Sequence, residues 1–360
     1  MLGLYIHIPF CNSLCKFCDF PKRIKQSDEL KKQYINKLIN DLEKLDKDLC
    51  FDTVYIGGGT PNSLSNDLLE ALFQAIHKLT LNPNLEFSIE ANFELITNAQ
   101  AKLFKKYNIN RISIGIQTFN KEIGKYINRE SNYHLCQEKI HILKNNNILN
   151  INGDFIFGLP HQKLLDVKED LNLIKSLPFK HISYYSLILE DKTVMNYELL
   201  KNKLSLPDED LVADMYEFIQ KELKHMGYQQ YEISNFAFAG FESKHNSIYW
   251  QLDDYIGIGM SAASFYQNKR YTNSKIINEN LQDLNIFNDE VSIGEYFWLG
   301  LRMTNGVSIT KFKQKYQLDP FELYPVQELI NKGLLKLDND LLKLTELGLD
   351  HGNYVFECFI

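Results

Sequence analysis

Apolar positions recur along the first half of the chain in two alternating rhythms. Short runs, rich in Ile, Val, Phe and Tyr, predict strands over Leu4–Ile8, Thr53–Ile56, Glu86–Glu90, Arg111–Ile116, Ile151–Phe157 and His181–Leu187. Between them a 3.6-residue period predicts helices over Leu30–Lys47, Asp67–Leu79, Asn98–Tyr107, Tyr133–Asn145 and Leu164–Leu177. In the first of these, Tyr34, Leu38, Leu42 and Leu45 mark one apolar face. Repeated β–α units of this length favour a parallel sheet. Six units are too few for a closed eightfold barrel, so a partial barrel and a doubly wound sheet both fit.

After Leu189 the rhythm changes. Pro207, acidic residues in the first turn and Gly227 bound a helix over Asp208–Met226, and Gln229–Ser234 reads as a strand. A polar stretch near Asn273–Asn288 suggests a linker. Helices are expected at Ile293–Met303, Ile309–Tyr316 and Phe321–Asn331, then a hairpin, Leu334–Leu337 and Leu341–Leu344, turned at Asn339–Asp340. Helices followed by a short hairpin suggest a winged-helix-like module.

Composition narrows the class. The chain has 360 residues, 44% of them hydrophobic, enough for a sizeable core, and a formal charge of −7, which argues against a dedicated nucleic-acid binder. The N-terminus lacks the basic region of a signal peptide, and no apolar run reaches the roughly 18 residues of a spanning helix. A cytoplasmic protein is therefore expected. Of six cysteines, Cys11, Cys15 and Cys18 fall together and Cys50, Cys136 and Cys358 are scattered. In a reducing compartment the trio reads as a metal or redox site, the others as small buried residues.

Cys11-x3-Cys15-x2-Cys18 follows the first predicted strand directly, at the end where barrel folds carry their active sites. Three thiolates suit an iron–sulfur cubane with one iron left open, which could chelate the amino and carboxylate groups of S-adenosylmethionine (SAM) and pass it the electron that breaks a C–S bond. The alternatives are a Cys3His zinc site with a distant fourth ligand, or three incidental thiols. Gly57–Gly58–Gly59–Thr60–Pro61 ends the second strand, where glycines let backbone approach a ligand. Glu90, Gln117 and Asp154 on the strands offer hydrogen bonds to ribose hydroxyls, and Arg129 offers a guanidinium to a carboxylate.

These motifs fall in the order of a known family. The opening Tyr5-Ile-His-Ile-Pro-Phe-Cys11, with Phe17-Cys18-Asp19-Phe20, resembles the HemW / oxygen-independent coproporphyrinogen III oxidase-like radical SAM family. The likeness runs through IGGGTPNSL (56–64), SIEANFE (88–94), RISIGIQTFN (111–120), GDFIFGLP (153–160) and HISYYSL (181–187), and resumes at YEISNFA (231–237), KHNSIYW (244–250), YIGIG (255–259) and LGLRMTNGVS (299–308). It implies an α/β fold, a partial (βα)6 TIM-like barrel over 1–200, a family-specific extension over 201–290 and a mostly helical, winged-helix-like domain over 291–360. It implies a [4Fe–4S] cluster on Cys11, Cys15 and Cys18, and SAM lined by Tyr5, Gly58, Gly59, Thr60, Glu90, Gln117, Arg129 and Asp154. In the heme-chaperone branch an HNxxYW stretch is implicated in heme binding; here it is His245-Asn246-x-x-Tyr249-Trp250, with His245 the candidate axial ligand.

True coproporphyrinogen oxidases of this family resemble CxxxCxxCxC and carry an N-terminal extension. This chain has Asp19-Phe20 after Cys18 and starts four residues before Tyr5. Both features favour the heme chaperone, which holds heme and passes it to a recipient hemoprotein, over oxidative decarboxylation of coproporphyrinogen III. Other radical SAM chemistry on the scaffold, or a non-catalytic zinc or iron–sulfur protein, are the remaining alternatives. Three positions depart from the family pattern: Ser131 and Ala263 stand where histidine is usual, and Ser243 where cysteine is frequent.

Overall fold

The computed structural model describes residues 1–277, 282–285 and 289–360. Six strands, β1 (Leu2–Ile8), β2 (Cys50–Gly58), β3 (Thr80–Asn92), β4 (Arg111–Gln117), β5 (Asn150–Phe157) and β6 (His181–Ser186), lie side by side in chain order, each parallel to the next. The connections run through helices at Asp28–Glu43, Asn66–Ile76, Asn98–Lys106, Tyr133–Asn145 and Leu164–Ile174, within a residue or a turn of the predicted spans. The sheet curls, because side chains of β2 to β6 line one common cleft. This is the partial (βα)6 barrel that the sequence implied.

Local chemistry explains the elements. Ser27 caps the first helix by accepting from Leu30 N, acidic Asp28 and Glu29 sit in its first turn, and Tyr34, Ile35, Leu38 and Leu42 are buried. Each such burial stabilises by about 1.5–3 kcal/mol. The Tyr34 hydroxyl donates to His7 O (2.8 Å) and accepts from Met260 N (2.9 Å), so this helix joins the end of β1 to a loop far along the chain.

Beyond β6 the sheet gains β7 (Asn235–Ala237), antiparallel to β6. Beyond β1 it gains β8 (Asp254–Ile258), parallel to β1, then antiparallel β9 (Ala263–Tyr266) and β10 (Lys269–Asn273). The strand expected over Gln229–Ser234 is shorter: only Gln229–Gln230 pairs with β7, and the chain turns where Asn235 N donates to Glu232 O. Of the stretch 273–288 expected as a linker, Gln282–Asn285 pairs with β10, and most of the rest lies outside the described residues.

A seven-residue helix, Lys244–Trp250, closes the barrel at the level where β1 and β2 begin. Ser243 caps it by accepting from Asn246 N, and the Glu86 carboxylate of β3 accepts from Lys244 N (2.9 Å) and His245 N (3.0 Å). Gly3 makes room: a Cβ there would lie 3.0 Å from Ile248 and 3.3 Å from the His245 ring.

The C-terminal module opens on a helix, Asp289–Gly300, and adds helices at Ile309–Tyr316, Pro320–Leu323 and Val326–Asn331. A three-stranded antiparallel sheet of Val307–Ser308, Leu341–Leu344 and Leu335–Asp338 follows the hairpin expectation, and two short helices end the chain. It has its own core around Phe297, Phe312, Leu342, Val355 and Phe359. Thr304 N donates to Tyr231 O (3.0 Å) and the Arg302 guanidinium lies 4.5 Å over the Trp250 ring, fastening the module to the barrel.

Candidate functional site

The cysteines occupy an excursion at the carboxyl end of β1. Phe10–Cys11 pairs with Arg23–Ile24, so residues 12–22 leave and return at one point. The loop is fastened from outside: Lys16 N donates to Ile127 O (3.1 Å), Asn128 Nδ2 to Leu14 O (2.7 Å), and Met195 N to Lys16 O (3.0 Å). The Lys16 ammonium pairs with Glu198 at 2.8 Å. Cys11, Cys15 and Cys18 are free thiols and half-buried, whereas Cys136 sits in the core with its thiol pushed up to about 12 by burial. Burial also raises the Cys11 and Cys15 thiols, while the Arg129 guanidinium beside Cys15 pulls its thiol down. Among the described residues no three His, Cys, Asp or Glu side chains are gathered to share one metal ion. A cubane asks for a different arrangement, one soft thiolate on each of three irons with the fourth left open, and this donor set of three half-buried thiols beside a cleft fits it.

The glycine run at the end of β2 lies against that loop. Gly59 N donates to Ile8 O (2.8 Å) and Thr60 N to Phe10 O (2.8 Å), and the Thr60 hydroxyl reaches Cys11 Sγ at 3.6 Å. Gly58 adopts φ +118°, and a Cβ there would lie 2.6 Å from the His7 ring; a Cβ on Gly59 would lie 2.8 Å from Cys11 Sγ. Glycine is needed at both because backbone, imidazole and thiol already fill the space.

Four polar side chains complete the walls. Glu90 on β3 accepts from the Tyr55 hydroxyl (2.8 Å) and from Gly58 N (3.0 Å). Burial pushes its carboxyl up to about 7. Asp154 on β5 accepts from Ser113 Oγ (2.8 Å) and Asn152 Nδ2 (2.7 Å), and burial raises it too. Gln117 ends β4 at a bulge with φ +68°, where register slips between Gly115 and Gln117. Arg129 donates from Nε to Gln117 Oε1 (2.8 Å), from Nη1 to Asn92 Oδ1 (2.8 Å) and from Nη2 to Gly115 O (2.5 Å). The guanidinium has five N–H donors, so these three contacts do not exhaust it, and it also hydrogen-bonds the Cys15 side chain.

Gly58, Gly59, Thr60, Glu90, Gln117, Arg129 and Asp154 line one cleft with Cys15 and Cys18, of about 620 Å³, within the range of a small-molecule pocket. Cys11 is bound to this wall through Thr60 and Gly59. Tyr5 stands apart from the lining: its hydroxyl bonds His7 Nδ1 (2.9 Å), and its ring packs on Tyr55 and His245. It supports the glycine loop from below through His7.

His245, the heme-ligand candidate, is placed away from the cleft. The imidazole is fully buried in the helix that closes the barrel, with Nδ1 at 2.7 Å from Thr53 Oγ1 and Nε2 at 2.8 Å from the Tyr249 hydroxyl. Its ring stacks on Tyr55 at 5.0 Å. Both nitrogens are engaged within the fold, and the ring is not part of the cleft lining. Its neighbour Asn246 is the member of the HNxxYW stretch that lines the cleft.

Several cleft residues were not singled out from the sequence: Tyr55, Arg111, Ser113, Asn152, Ser183 and Tyr185. Their signal is polarity at inward positions of otherwise apolar strands, as in Ser113 of RISIGIQ. The departures from the family pattern are accommodated. Ser243 serves as a helix cap, and Ser131 is buried so tightly that a Cβ on Gly124 would overlap its hydroxyl.

Comparison with known proteins agrees with this architecture. Residues 5–174 match the radical SAM superfamily and residues 289–351 the HemN C-terminal domain. The chain is 39% identical to the heme chaperone HemW of Lactococcus lactis, over 99% of this chain and 96% of that protein. It is 36% identical to HemW of Bacillus subtilis, over 100% and 99%. Among solved structures, coproporphyrinogen III oxidase (HemN) from Escherichia coli superposes with a TM-score of 0.86 at 21% identity, covering 99% of this chain and 89% of that one, a likeness of fold. Similarity of this extent, through both the barrel and the C-terminal module, means that the protein belongs to the HemW family of radical SAM proteins.

Proposed function

We propose that this protein is a cytoplasmic radical SAM heme chaperone, which carries a [4Fe–4S] cluster on Cys11, Cys15 and Cys18, binds SAM in the adjoining cleft, and delivers heme to a recipient hemoprotein. The observation that supports this most is full-length likeness to HemW, joined to a cleft whose walls are the cysteine loop and the glycine loop. When bound, the reduced cluster supplies an electron able to break the sulfonium C–S bond of SAM.

The side chains have separate tasks in this reading. Arg129 holds the SAM carboxylate with the donors not spent on Gln117, Asn92 and Gly115. Glu90, already accepting from Gly58, keeps the glycine backbone at its height beside the amino acid end of SAM. Asp154 and Gln117 accept from ribose hydroxyls. Phe17, Ile156 and Leu187 shield the cleft from water.

Anaerobic reconstitution with iron and sulfide, followed by hemin titration, tests the reading. The expected result is about four irons per chain, lost when any of the three cysteines is changed to alanine, and saturable hemin uptake with transfer to an apo-hemoprotein. A reconstituted protein that takes up no hemin but decarboxylates a porphyrinogen would overturn it.

A further inference from the structure

Two motifs to which the cleft gives no role, HISYYSL (181–187) and YEISNFA (231–237), meet behind its wall. On β5 and β6, Asn152 is the register partner of His181 and Asp154 of Ser183, so these four side chains alternate onto one face of the sheet. Asn152, Asp154 and Ser183 line the cleft; His181 does not. It is fully buried one layer further in, with the Tyr231 ring against it at 5.5 Å.

The protons in this group have one consistent order. Asn152 Nδ2 lies 2.7 Å from Asp154 Oδ1 and 2.6 Å from Ser113 Oγ, which itself donates to Asp154 Oδ2 (2.8 Å). A carboxylate only accepts, so the amide presents its nitrogen to Asp154 and its oxygen to His181. Asn152 Oδ1 then accepts from His181 Nδ1 (2.7 Å), which fixes the ring as the Nδ1–H tautomer. Burial, with the Arg111 guanidinium adding to it, keeps this imidazole neutral. Its Nε2 is left as an acceptor for the Tyr231 hydroxyl (2.8 Å). The Tyr231 oxygen accepts in turn from Ser243 N (3.2 Å), at the cap of the helix Lys244–Trp250. Every donor points the same way, from that cap to Asp154, and turning one member round sets acceptor against acceptor. Such a chain holds its last member more firmly than the pairs would separately.

We infer that His181 and Tyr231 are positioning residues for SAM, holding the Asp154 carboxylate through Asn152 in the orientation that receives a ribose hydroxyl, and tying it to the cap of the helix Lys244–Trp250. The inference rests on the SAM reading of the cleft and deepens it. Neither residue lines the cleft, so each acts through Asp154 and not on SAM itself.

The test is calorimetric titration of the cluster-reconstituted full chain with SAM and with its 2′,3′-dideoxy analogue, whose ribose carries no hydroxyl. Wild type should prefer SAM by about tenfold or more, the worth of a hydrogen bond to a charged acceptor. In His181→Leu and in Tyr231→Phe that preference should shrink at least about threefold, with affinity for the analogue kept within about twofold. Tyr231→Phe removes a single oxygen and keeps the backbone bonds to Thr304 and Asn235, so it carries the test even where His181→Leu fails to fold. Nitrogen-15 spectra of the cluster-free protein, with the His181 signals assigned by their loss in His181→Leu, should show the Nδ1–H tautomer. Equal losses for SAM and the analogue, an unchanged preference, or an Nε2–H ring would overturn the inference and leave the SAM reading standing. A wild type that binds neither compound would overturn the SAM reading, and one that binds both equally would overturn the ribose role of Asp154; this inference would fall with either.

Discussion

Glu90 accepts a hydrogen bond from Gly58 N at 3.0 Å, so a carboxylate on the third barrel strand sets the position of the glycine loop that ends the second. Its other oxygen accepts from the Tyr55 hydroxyl, and a Cβ on Gly57 would lie 2.9 Å from this carboxylate, so the contact leaves no slack.

That contact has a pH dependence of definite sign. Burial raises the Glu90 carboxyl from 4.5 to about 7 in the folded chain. Between those values the native state holds the proton more tightly than the unfolded state, so this residue makes stability fall as pH rises from 4.5 to 7. The ceiling is on the order of 3 kcal/mol, at 1.36 kcal/mol per unit. Denaturant midpoints of the metal-free protein should therefore fall across that window relative to Glu90→Gln. Parallel curves for the two proteins would refute the assignment.

Arg129→Lys should cost the cleft its geometry while keeping its charge. Three guanidinium nitrogens hold Gln117, Asn92 and Gly115 together, and an ammonium can replace one of these contacts in place. Calorimetry should show SAM affinity falling by tenfold or more, about 1.4 kcal/mol. Equal affinity in Arg129→Lys would mean the residue acts as a point charge only.

Gly59→Ala tests whether the two loops form one unit. The added methyl would lie 2.8 Å from Cys11 Sγ and 2.9 Å from Phe10 O, with backbone on one side that cannot yield cheaply. Iron content after reconstitution should drop to less than half of wild type, with far-ultraviolet circular dichroism unchanged. Full iron content would show that the cysteine loop adjusts independently of the glycines.

The barrel was legible because its strands are continuous apolar runs covered on both faces, punctuated by Gly57–Gly58–Gly59 and Gly158–Leu159–Pro160. The cleft was half legible. Glu90 and Asp154 announce themselves as charges inside strands, whereas Tyr55 hides in an apolar run, because tyrosine is an ordinary strand residue. Arg111 was read as the start of a strand, yet the curl of the sheet turns it toward the cleft. The helix Lys121–Ile127 was missed because it is two turns long with Gly124 in its middle. The helix Lys244–Trp250 escaped for another reason. Its stability comes from Ser243 and Glu86 at its N-terminus, and Glu86 is 158 residues away from Lys244, beyond the reach of any local pattern.

His245 supplies the last prediction, and its sign is opposite to that of Glu90. Burial pushes the imidazole from 6.5 down to about 3, so it stays neutral in the fold, bridging Thr53 and Tyr249. The unfolded chain takes up a proton below pH 6.5 that the folded chain refuses, so stability is full above 6.5 and is lost as pH falls toward 3. Glu90 acts in the reverse sense over 4.5 to 7, so wild type alone shows a partly cancelled profile, and each variant uncovers the other residue's slope. His245→Gln should cost stability at pH 7.5, because a bridge between two buried hydroxyls is weakened, by about 1–3 kcal/mol. It should cost much less at pH 5, where wild type has already lost stability through this residue. Thr53→Val, which leaves the imidazole in place, should lose stability at both pH values. If His245→Gln were equally destabilised at pH 5 and 7.5, the buried imidazole would not be the group that titrates. If the same variant abolished hemin uptake while remaining folded, the ring would have to leave its pocket to bind iron, and its two hydrogen bonds would be a latch and not a permanent support.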